Sequence, residues 1–343
     1  MINQKKYKIA IVGCGGIGHA HMEGYNKIEE VEVIACCDPV PSAVEYYKNE
    51  FNIPQGFNDL NEMLNIAKPE IVSVCVWHLL HDEITNKVAK SKSVKGIICE
   101  KPMAIGVEKA RSMVQVCEEN DVKLVISHQR RFTPGWIKAK ELVENGDIGI
   151  PNRAELRVKD GLLNWGTHSI DGARFILGDP RPIWVMGSVE RYTNKYERDT
   201  AIEDSCIGLI HFENDIQFFI QSDLMDNGAD AGKFEIDGTE GFLKITETEV
   251  KIFNAKSNGW KDIEINLEEG DVAIGGNTNA AQTRELIDWI EGGKKHRGAG
   301  DIAADTVQIC LLYTTDAADE KRGVELGGRR IIKKKRWGGW GGG

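Results

Sequence analysis

The first third of the chain alternates short apolar runs with longer segments in which apolar residues recur at helical spacing. The apolar runs are predicted strands, and the segments between them are predicted helices, for example residues 82–90 and 107–119. Strands joined by helical crossovers form a parallel, doubly wound α/β sheet. We therefore predict such a domain over residues 1–126, with strands at 8–12, 31–37, 71–77, 94–99 and 122–127.

Beyond residue 126 the pattern changes to strands of alternating polarity joined by short turns. Residues 206–212 lead through Asn214-Asp215 into a strand at 216–222, and residues 234–237 lead through the turn 238–241 into a strand at 242–245. This pattern predicts a mostly antiparallel, open-faced sheet with one face covered by helices at 164–177 and 280–290. The prediction is a substrate-binding and oligomerisation domain of the α+β class over residues 127–309.

The composition of the chain changes again over residues 310–343. Lysine, glycine and tryptophan runs follow a short helix-like stretch. We interpret this segment as a non-native tail resembling a translated sequencing adapter. The alternative is a native helix end followed by a basic tail.

A glycine fingerprint follows the first strand and opens the next helix. Gly13 permits a tight turn, Gly15 lets the backbone approach a pyrophosphate, and Gly18 lets the helix pack closely. Asp38 closes the second strand, where a carboxylate accepts ribose hydroxyls and repels the 2′-phosphate of NADP. The prediction is an NAD site whose loop comprises Gly13, Cys14, Gly15, Gly16, Ile17 and Gly18.

Composition limits the class of partner. The 343 residues carry a net charge of −10, which argues against a nucleic acid or an anionic membrane as the partner. The cysteines fall mostly in apolar runs without a Cys-x-x-Cys spacing, and no apolar stretch approaches the roughly 18 residues that span a bilayer. We expect a cytoplasmic protein with reduced thiols and a small-molecule substrate.

Three predicted strand ends in the first domain carry polar residues, and ligands of doubly wound sheets bind at such ends. The first end supplies Trp77, His78 and His81 as candidate cofactor-binding residues, and the last supplies Arg130. His81 is expected either to cap the next helix or to contact the cofactor. The middle end supplies Glu100 and Lys101, which are further candidates for binding the cofactor, and a cation there could also hold a substrate oxygen. A surface lysine at a strand end is the alternative for Lys101.

A second group of polar residues lies on the predicted helix that opens the second domain. Asn164, His168 and Asp171 have the spacing of one helix face. Imidazole is suited to taking a proton from a hydroxyl near neutral pH, and Asp171 could orient it. The alternative is a helix cap with a hydrogen-bonded structural histidine. The His-x-His pair at His19 and His21 lacks a matched second cluster, so no metal site is predicted.

The chain resembles the Gfo/Idh/MocA family, named after glucose–fructose oxidoreductase, inositol dehydrogenase and MocA. The resemblance spans roughly residues 6–309 and rests on these motifs: the glycine fingerprint, the segment ending in His81, Glu100-Lys101-Pro102, Arg130-Arg131-Phe132 and Gly166-x-His168-x-x-Asp171. It implies that Lys101 lies beside the nicotinamide and substrate and that His168 is the acid/base. It also implies a homodimer or homotetramer formed through the open sheet.

One position departs from the family pattern. Many members that oxidise a hydroxyl have an Asp where this chain has Asn164, and an amide cannot titrate. The leading hypothesis is an NAD-dependent dehydrogenase acting on a sugar, inositol or sugar acid, with Lys101 and His168 as catalytic residues and Arg130, Asn164 and Asp171 binding the substrate. An NAD-dependent glycosidase with transient redox and a non-catalytic NAD-binding protein are the alternatives.

Overall fold

The computed structural model describes residues 6–158, 161–197, 199–222, 233–271, 275–314 and 330–336, with the backbone alone described at 161, 163, 164, 233, 312–314 and 330–336. The chain divides into two compact units. The first combines Met1–Phe132 with Glu268–Ala304, and the second combines Thr133–Leu267 with Asp305–Gly343. These divisions differ from the boundaries drawn at residues 126 and 309, because a late segment of the chain returns to the first unit.

The described part of the first unit contains a six-stranded parallel sheet in the order β3-β2-β1-β4-β5-β6. Its strands are β1 (Tyr7–Val12), β2 (Val31–Cys37), β3 (Gln55–Phe57), β4 (Ile71–Val74), β5 (Gly96–Cys99) and β6 (Lys123–Ile126). The intervening helices are α1 (Gly16–Tyr25), α2 (Pro41–Phe51), α3 (Leu60–Ala67), α4 (His81–Ala89) and α5 (Val107–Glu119). The predicted doubly wound domain is confirmed.

The central strands of this sheet are apolar on both faces because helices cover both faces. Ile9, Ile11, Ile71, Ile98 and Val125 are all fully buried in one core cluster. Such continuous burial is typical of parallel strands and explains why they read as unbroken apolar runs. Because the six strands are parallel, their carboxyl ends all lie at the same edge of the sheet.

Helix α8 (Gly276–Ile290) belongs to this first core. Its residues Ala280, Leu286 and Ile287 are buried in the same cluster as β1. The Asn279 amide donates to the Ala20 carbonyl of α1 at 3.1 Å. The prediction that residues 280–290 cover the second-domain sheet is therefore wrong, because their apolar stripe packs against α1 instead.

The described part of the second unit contains a mixed, mostly antiparallel sheet in the order β16-β15-β14-β13-β7-β12-β11-β8-β17. Its strands are β7 (Pro151–Val158), β8 (Pro182–Glu190), β11 (Ser205–Phe212), β12 (Gln217–Ser222), β13 (Lys233–Gly238), β14 (Gly241–Ile245), β15 (Val250–Asn254), β16 (Lys261–Ile263) and β17 (Arg330–Arg336). A separate short ribbon joins β9 (Tyr196–Glu197) to β10 (Thr200–Ala201). Strands β7 and β12 are parallel, and the other pairings described in this sheet are antiparallel. The predicted α+β class, with a mostly antiparallel sheet, is confirmed.

Helices α6 (Pro134–Glu144) and α7 (Thr167–Ile176) cover one face of this sheet. The buried Trp136 of α6 stacks on Phe234 of β13, with ring centroids 6.0 Å apart. Gly172 of α7 faces the same indole so closely that a Cβ there would collide with it. The two helices and the sheet thus share one core built around Trp136.

Two parts of the predicted non-native tail, residues 310–314 and 330–336, lie within the described residues. Helix α9 (Gly300–Thr314) continues through residue 310, and Cys310 is fully buried. Strand β17 pairs with β8. Residues 315–329 and 337–343 lie outside the described residues, and the origin of the segment stays a prediction. Across the described residues, no helix is both long and apolar enough to cross a membrane.

Candidate functional site

The glycine fingerprint forms the connection between β1 and α1, at the carboxyl edge of the parallel sheet. Gly13 has φ +98°, a conformation that favours glycine, and its N–H donates to the Cys37 carbonyl at 2.8 Å. A Cβ at this position would lie 2.6 Å from the Cys75 carbonyl oxygen. The first glycine is therefore required by both the backbone conformation and the neighbouring strand end.

The next two glycines face open space. An added Cβ at Gly15 or Gly16 would meet no heavy atom within 4 Å. Helix α1 begins at Gly16, so its first N–H groups point out of the sheet edge where these glycines leave room. This open cradle at a helix N-terminus fits a dinucleotide pyrophosphate.

Gly18 and Tyr47 hold the loop from behind. A Cβ at Gly18 would approach the Gly13 carbonyl oxygen at 3.1 Å and the Tyr47 hydroxyl at 2.5 Å. The same hydroxyl donates to the Gly15 carbonyl. Sequence reasoning missed Tyr47, since α2 carries no motif that marks it as a loop contact.

Asp38 follows β2 and reaches back to the fingerprint loop. Its Oδ2 accepts the Cys14 backbone N–H at 2.9 Å, and its Oδ1 accepts the Val40 N–H at 2.9 Å. A carboxylate has about four acceptor positions, so each oxygen retains capacity for a further donor. The residue that we predict to bind ribose is thus already oriented by its own loops.

The rim segment after β4 divides into exposed and buried residues. The Trp77 side chain is 57% exposed, whereas His78 is buried in the 3₁₀ turn His78–Leu80. His81 is also buried, with Nδ1 2.8 Å from the Pro102 carbonyl oxygen and Nε2 3.0 Å from the Val76 carbonyl oxygen. The His81 ring therefore links this segment to the Lys101-Pro102 turn rather than capping α4.

Glu100 and Lys101 follow β5, adjacent to β4 in the sheet. Glu100 is buried and Lys101 is partly exposed. Oε1 of Glu100 lies 2.9 Å from Nε2 of His21 on α1. Burial alone would raise the pKa of Glu100, but the hydrogen bond and charge of His21, with the charge of Lys101, hold it below its ordinary value. A buried carboxylate thus lies directly beside the candidate catalytic cation.

Arg130 lies in a 3₁₀ turn, Gln129–Phe132, that follows β6. The turn is buried, and the adjacent Arg131 donates to the Arg297 carbonyl at 2.7 Å. The first unit therefore brings the glycine loop, Asp38, the rim segment, Lys101 and Arg130 to one edge of one sheet.

The second unit carries the other candidate group. His168 and Asp171 lie on α7 and are only 4% and 1% exposed. Asp171 Oδ1 accepts the Thr306 hydroxyl of α9 at 3.2 Å. The contact with α9 indicates that Asp171 also braces α7 against a neighbouring helix.

Asn164 lies in a π-helical turn, Gly161–Gly166, that precedes α7. The predicted α-helix over 164–177 therefore starts later, and the i, i+4 spacing of Asn164 and His168 crosses a change of helical winding. The side chain of Asn164 lies outside the described residues. Its predicted contact with substrate stays a prediction, as do the roles of the other candidate residues.

Comparison with known proteins gives a family for both units. Residues 7–128 match the model of an oxidoreductase family with an NAD-binding Rossmann fold, and residues 155–244 match the GFO/IDH/MocA C-terminal domain. These two matches fall on the two sheets described above. They confirm the predicted NAD-binding oxidoreductase family.

Relatives of the chain include enzymes of sugar-like alcohols. A myo-inositol 2-dehydrogenase from Thermotoga maritima is 28% identical over 57% of this chain, and the chain spans 63% of that relative's length. A D-apiose dehydrogenase from Paraburkholderia graminis is 24% identical over 71% of this chain and 68% of its own.

Solved structures share the fold. An Agrobacterium radiobacter oxidoreductase in complex with NAD+, L-tartaric acid and magnesium has a TM-score of 0.79 at 20% identity, over 92% of this chain and 97% of its own. A Bordetella pertussis WlbA dehydrogenase in complex with NADH and UDP-GlcNAcA has a TM-score of 0.75 at 18% identity, over 97% of this chain and 99% of its own. The chain belongs to the Gfo/Idh/MocA family of NAD-binding oxidoreductases.

Proposed function

We propose that this protein is an NAD-dependent dehydrogenase that transfers hydride between a carbohydrate-like secondary alcohol and the nicotinamide. The observation that carries the proposal is the order β1-β4-β5 in the first sheet, which sets the glycine loop and the Lys101 turn at the same edge. The names of the relatives, dehydrogenases of inositol and apiose, support a polyhydroxylated substrate.

In this proposal His168 accepts the proton of the substrate hydroxyl, because a neutral imidazole is a competent base near neutral pH. Lys101 donates a hydrogen bond to the same oxygen and stabilises the negative charge that develops on it. Arg130 and Asn164 hold neighbouring hydroxyl groups. NAD, when bound, supplies the hydride acceptor.

Asn164 limits the route of the proton. An amide donates and accepts hydrogen bonds but does not titrate, so it can orient a substrate hydroxyl without relaying the proton. The proton taken by His168 must therefore leave through that imidazole. We therefore expect substitutions of Asn164 to lower the activity less than substitutions of His168.

The test is a panel of polyols, aldoses and sugar acids, including myo-inositol and apiose, scored for NADH formation. Turnover is expected in wild type, and K101M and H168N are expected to lower kcat by about 10²-fold or more. K123M is the matched control because Lys123 opens β6 of the same sheet and pairs with the exposed Asp121. Full activity in both K101M and H168N would contradict the proposal.

Two other outcomes would identify the alternatives. Cleavage of an aryl glycoside without accumulation of NADH would indicate an NAD-dependent glycosidase. NAD binding without turnover of any member of the panel would indicate a non-catalytic protein.

We also propose that copies of the chain associate through the face of the second sheet that lies opposite α6 and α7. Met186, Leu209 and Phe219 are in register on β8, β11 and β12, and they alternate with buried residues on the helix-covered face. Met186 is 44% exposed and Ile207 of the same face is 48% exposed. An apolar patch that crosses adjacent strands favours a self-complementary contact.

Multi-angle light scattering tests this association. I207E and M186K are expected to yield monomers, whereas I66E, which changes an exposed isoleucine on α3 of the first unit, is expected to leave the mass unchanged. A wild-type protein that is monomeric at all concentrations would overturn the association and leave the dehydrogenase proposal intact.

A further inference from the structure

A chain of buried polar side chains connects α1 to the strand ends in the first unit. It starts on α1, passes through β4 and the end of β5, and ends beyond β6 and on α8. Its members are Tyr25, Ser73, His21, Glu100, Gln129, Ser127 and Gln282. All are buried, so each bond in the chain is shielded from water.

Glu100 is the centre of this chain. Oε1 accepts from His21 Nε2 at 2.9 Å and from the Gln129 amide at 3.3 Å. Oε2 lies 3.3 Å from the backbone nitrogen of Lys101 and accepts its N–H. One carboxylate therefore joins the helix that follows the glycine loop to the backbone of the candidate catalytic lysine.

His21 and Glu100 form an ion pair when His21 is protonated. Burial alone would lower the pKa of His21, but the Cys75 sulfur and the Glu100 carboxylate raise it well above its ordinary value. His21 Nδ1 lies 3.2 Å from Ser73 Oγ. An imidazolium donates from both nitrogens, so it satisfies Glu100 and Ser73 at once.

We propose that the His21–Glu100 pair is a positioning device that sets the Lys101 turn relative to the glycine loop. Helix α1 begins inside the loop, and His21 lies one turn beyond its last glycine, Gly18. A shift of Glu100 therefore moves the Lys101 backbone relative to the cradle that fits the pyrophosphate. Neither residue is assigned a contact with the substrate, and the assignment rests on the role of Lys101 in the proposed function.

The protein has a control residue for Glu100 at the opposite edge of the same sheet. Glu70 precedes β4, and its carboxylate also joins a backbone N–H to a cation: Oε2 accepts from Lys8 N at 3.3 Å and Oε1 from Lys95 Nζ at 2.8 Å. Glu70 thus shares with Glu100 a bond from a backbone N–H and a bond from a cationic side chain, but it lacks a counterpart of the Gln129 bond, its bonds are exposed, and it lies at the opposite edge of the sheet from the glycine loop. E70Q therefore measures the effect of neutralising a carboxylate that bonds to a backbone N–H and a cation, at a place where it does not contact the Lys101 turn.

The experiment compares E100Q, H21Q and E70Q with wild type. Titration calorimetry gives the NAD+ affinity, hydrogen exchange gives the protection of peptides covering residues 13–25 and 99–104, and steady-state kinetics separates kcat from KM. E100Q and H21Q are expected to weaken NAD+ binding about tenfold, to raise exchange in both peptides, and to lower kcat with little change in the KM for the alcohol. E70Q is expected to match wild type in all three.

The double variant H21Q/E100Q places two neutral amides where the pair stands, and partial recovery of NAD+ affinity is expected because the hydrogen bond can re-form. Wild-type affinity and exchange in folded E100Q would overturn the proposal, as would equal losses in E70Q. If neither single variant nor the double variant folds, the pair is a folding requirement and the positioning role is rejected. Affinity and exchange do not require turnover, so they remain informative if no alcohol is oxidised.

Discussion

The Asp38 carboxylate accepts the backbone N–H of Cys14, with Oδ2 and the nitrogen 2.9 Å apart. This bond ties the end of β2 to the fingerprint loop. The residue expected to read the ribose therefore also fixes the loop expected to hold the pyrophosphate. A substitution at position 38 should therefore change both the preference between NAD and NADP and the conformation of the fingerprint loop.

We expect D38N to reduce the preference for NAD+ over NADP+ by about tenfold or more, because it removes the charge that repels the 2′-phosphate. Titration calorimetry with each dinucleotide measures the ratio. D59N is the control, since Asp59 also accepts a backbone N–H, from Glu62 at 2.9 Å, but caps α3. An unchanged ratio in D38N would show that another group selects the cofactor.

Gly13 and Gly16 of the fingerprint loop differ in what surrounds them. G13A should destabilise the protein by about 2–4 kcal/mol, because φ +98° is unfavourable for alanine and its Cβ would collide with the Cys75 carbonyl. G16A should cost less than about 1 kcal/mol, because its Cβ meets open space at the start of a helix.

Urea unfolding in the absence of NAD measures both glycine variants, so that loss of cofactor binding does not enter the comparison. Equal urea midpoints for G13A and G16A would mean that the loop adapts to a Cβ at either place. NAD+ affinity is then measured separately, and G16A is expected to lose affinity because its methyl group fills part of the cradle.

The sequence predicted the first unit better than the second because its signals are local. The strand 31–37 and the helix 107–119 coincide with β2 and α5, since apolar runs and helical periodicity set them directly. Helix α8 was assigned to the wrong unit because its apolar stripe does not say which core it joins. The contact between His21 and Glu100 could not be predicted either, because the two residues are distant in sequence.

His296 gives the first unit an acid-sensitive contact. Its Nδ1 accepts the Gly298 N–H at 2.8 Å, so Nε2 carries the proton and donates to the Gln282 carbonyl at 3.1 Å. Burial lowers the pKa of His296 to about 3. An unfolded chain takes up a proton near the ordinary histidine pKa, whereas the folded chain does not.

Stability should therefore fall as the pH drops from about 6.5 towards 3, by up to about 1.4 kcal/mol per pH unit for this group. Urea midpoints of wild type and H296N at about pH 7.5 and about pH 5 test this. H296N should be less stable at the higher pH and should lose less on acidification. An identical pH dependence in the two proteins would rule out His296 as its source.

The last prediction separates a structural from a substrate role for Asp171. Thr306 donates to Asp171 Oδ1 and accepts from Arg174 at 2.9 Å, all within the buried contact of α7 and α9. T306V keeps the volume but removes both bonds, so it should lower the free energy of unfolding by about 1–3 kcal/mol. At a temperature where T306V is fully folded, its kcat and KM should equal those of wild type.

D171N completes the comparison, because it keeps an oxygen for Thr306 while removing the charge. If Asp171 only braces α7, D171N should lose no more stability than T306V does, because the bond from Thr306 can still form, and it should keep its activity. A D171N protein that is as stable as wild type but has a raised KM for the alcohol would instead place Asp171 among the substrate-binding residues. Unfolding curves and initial rates on the same preparations decide between the two roles.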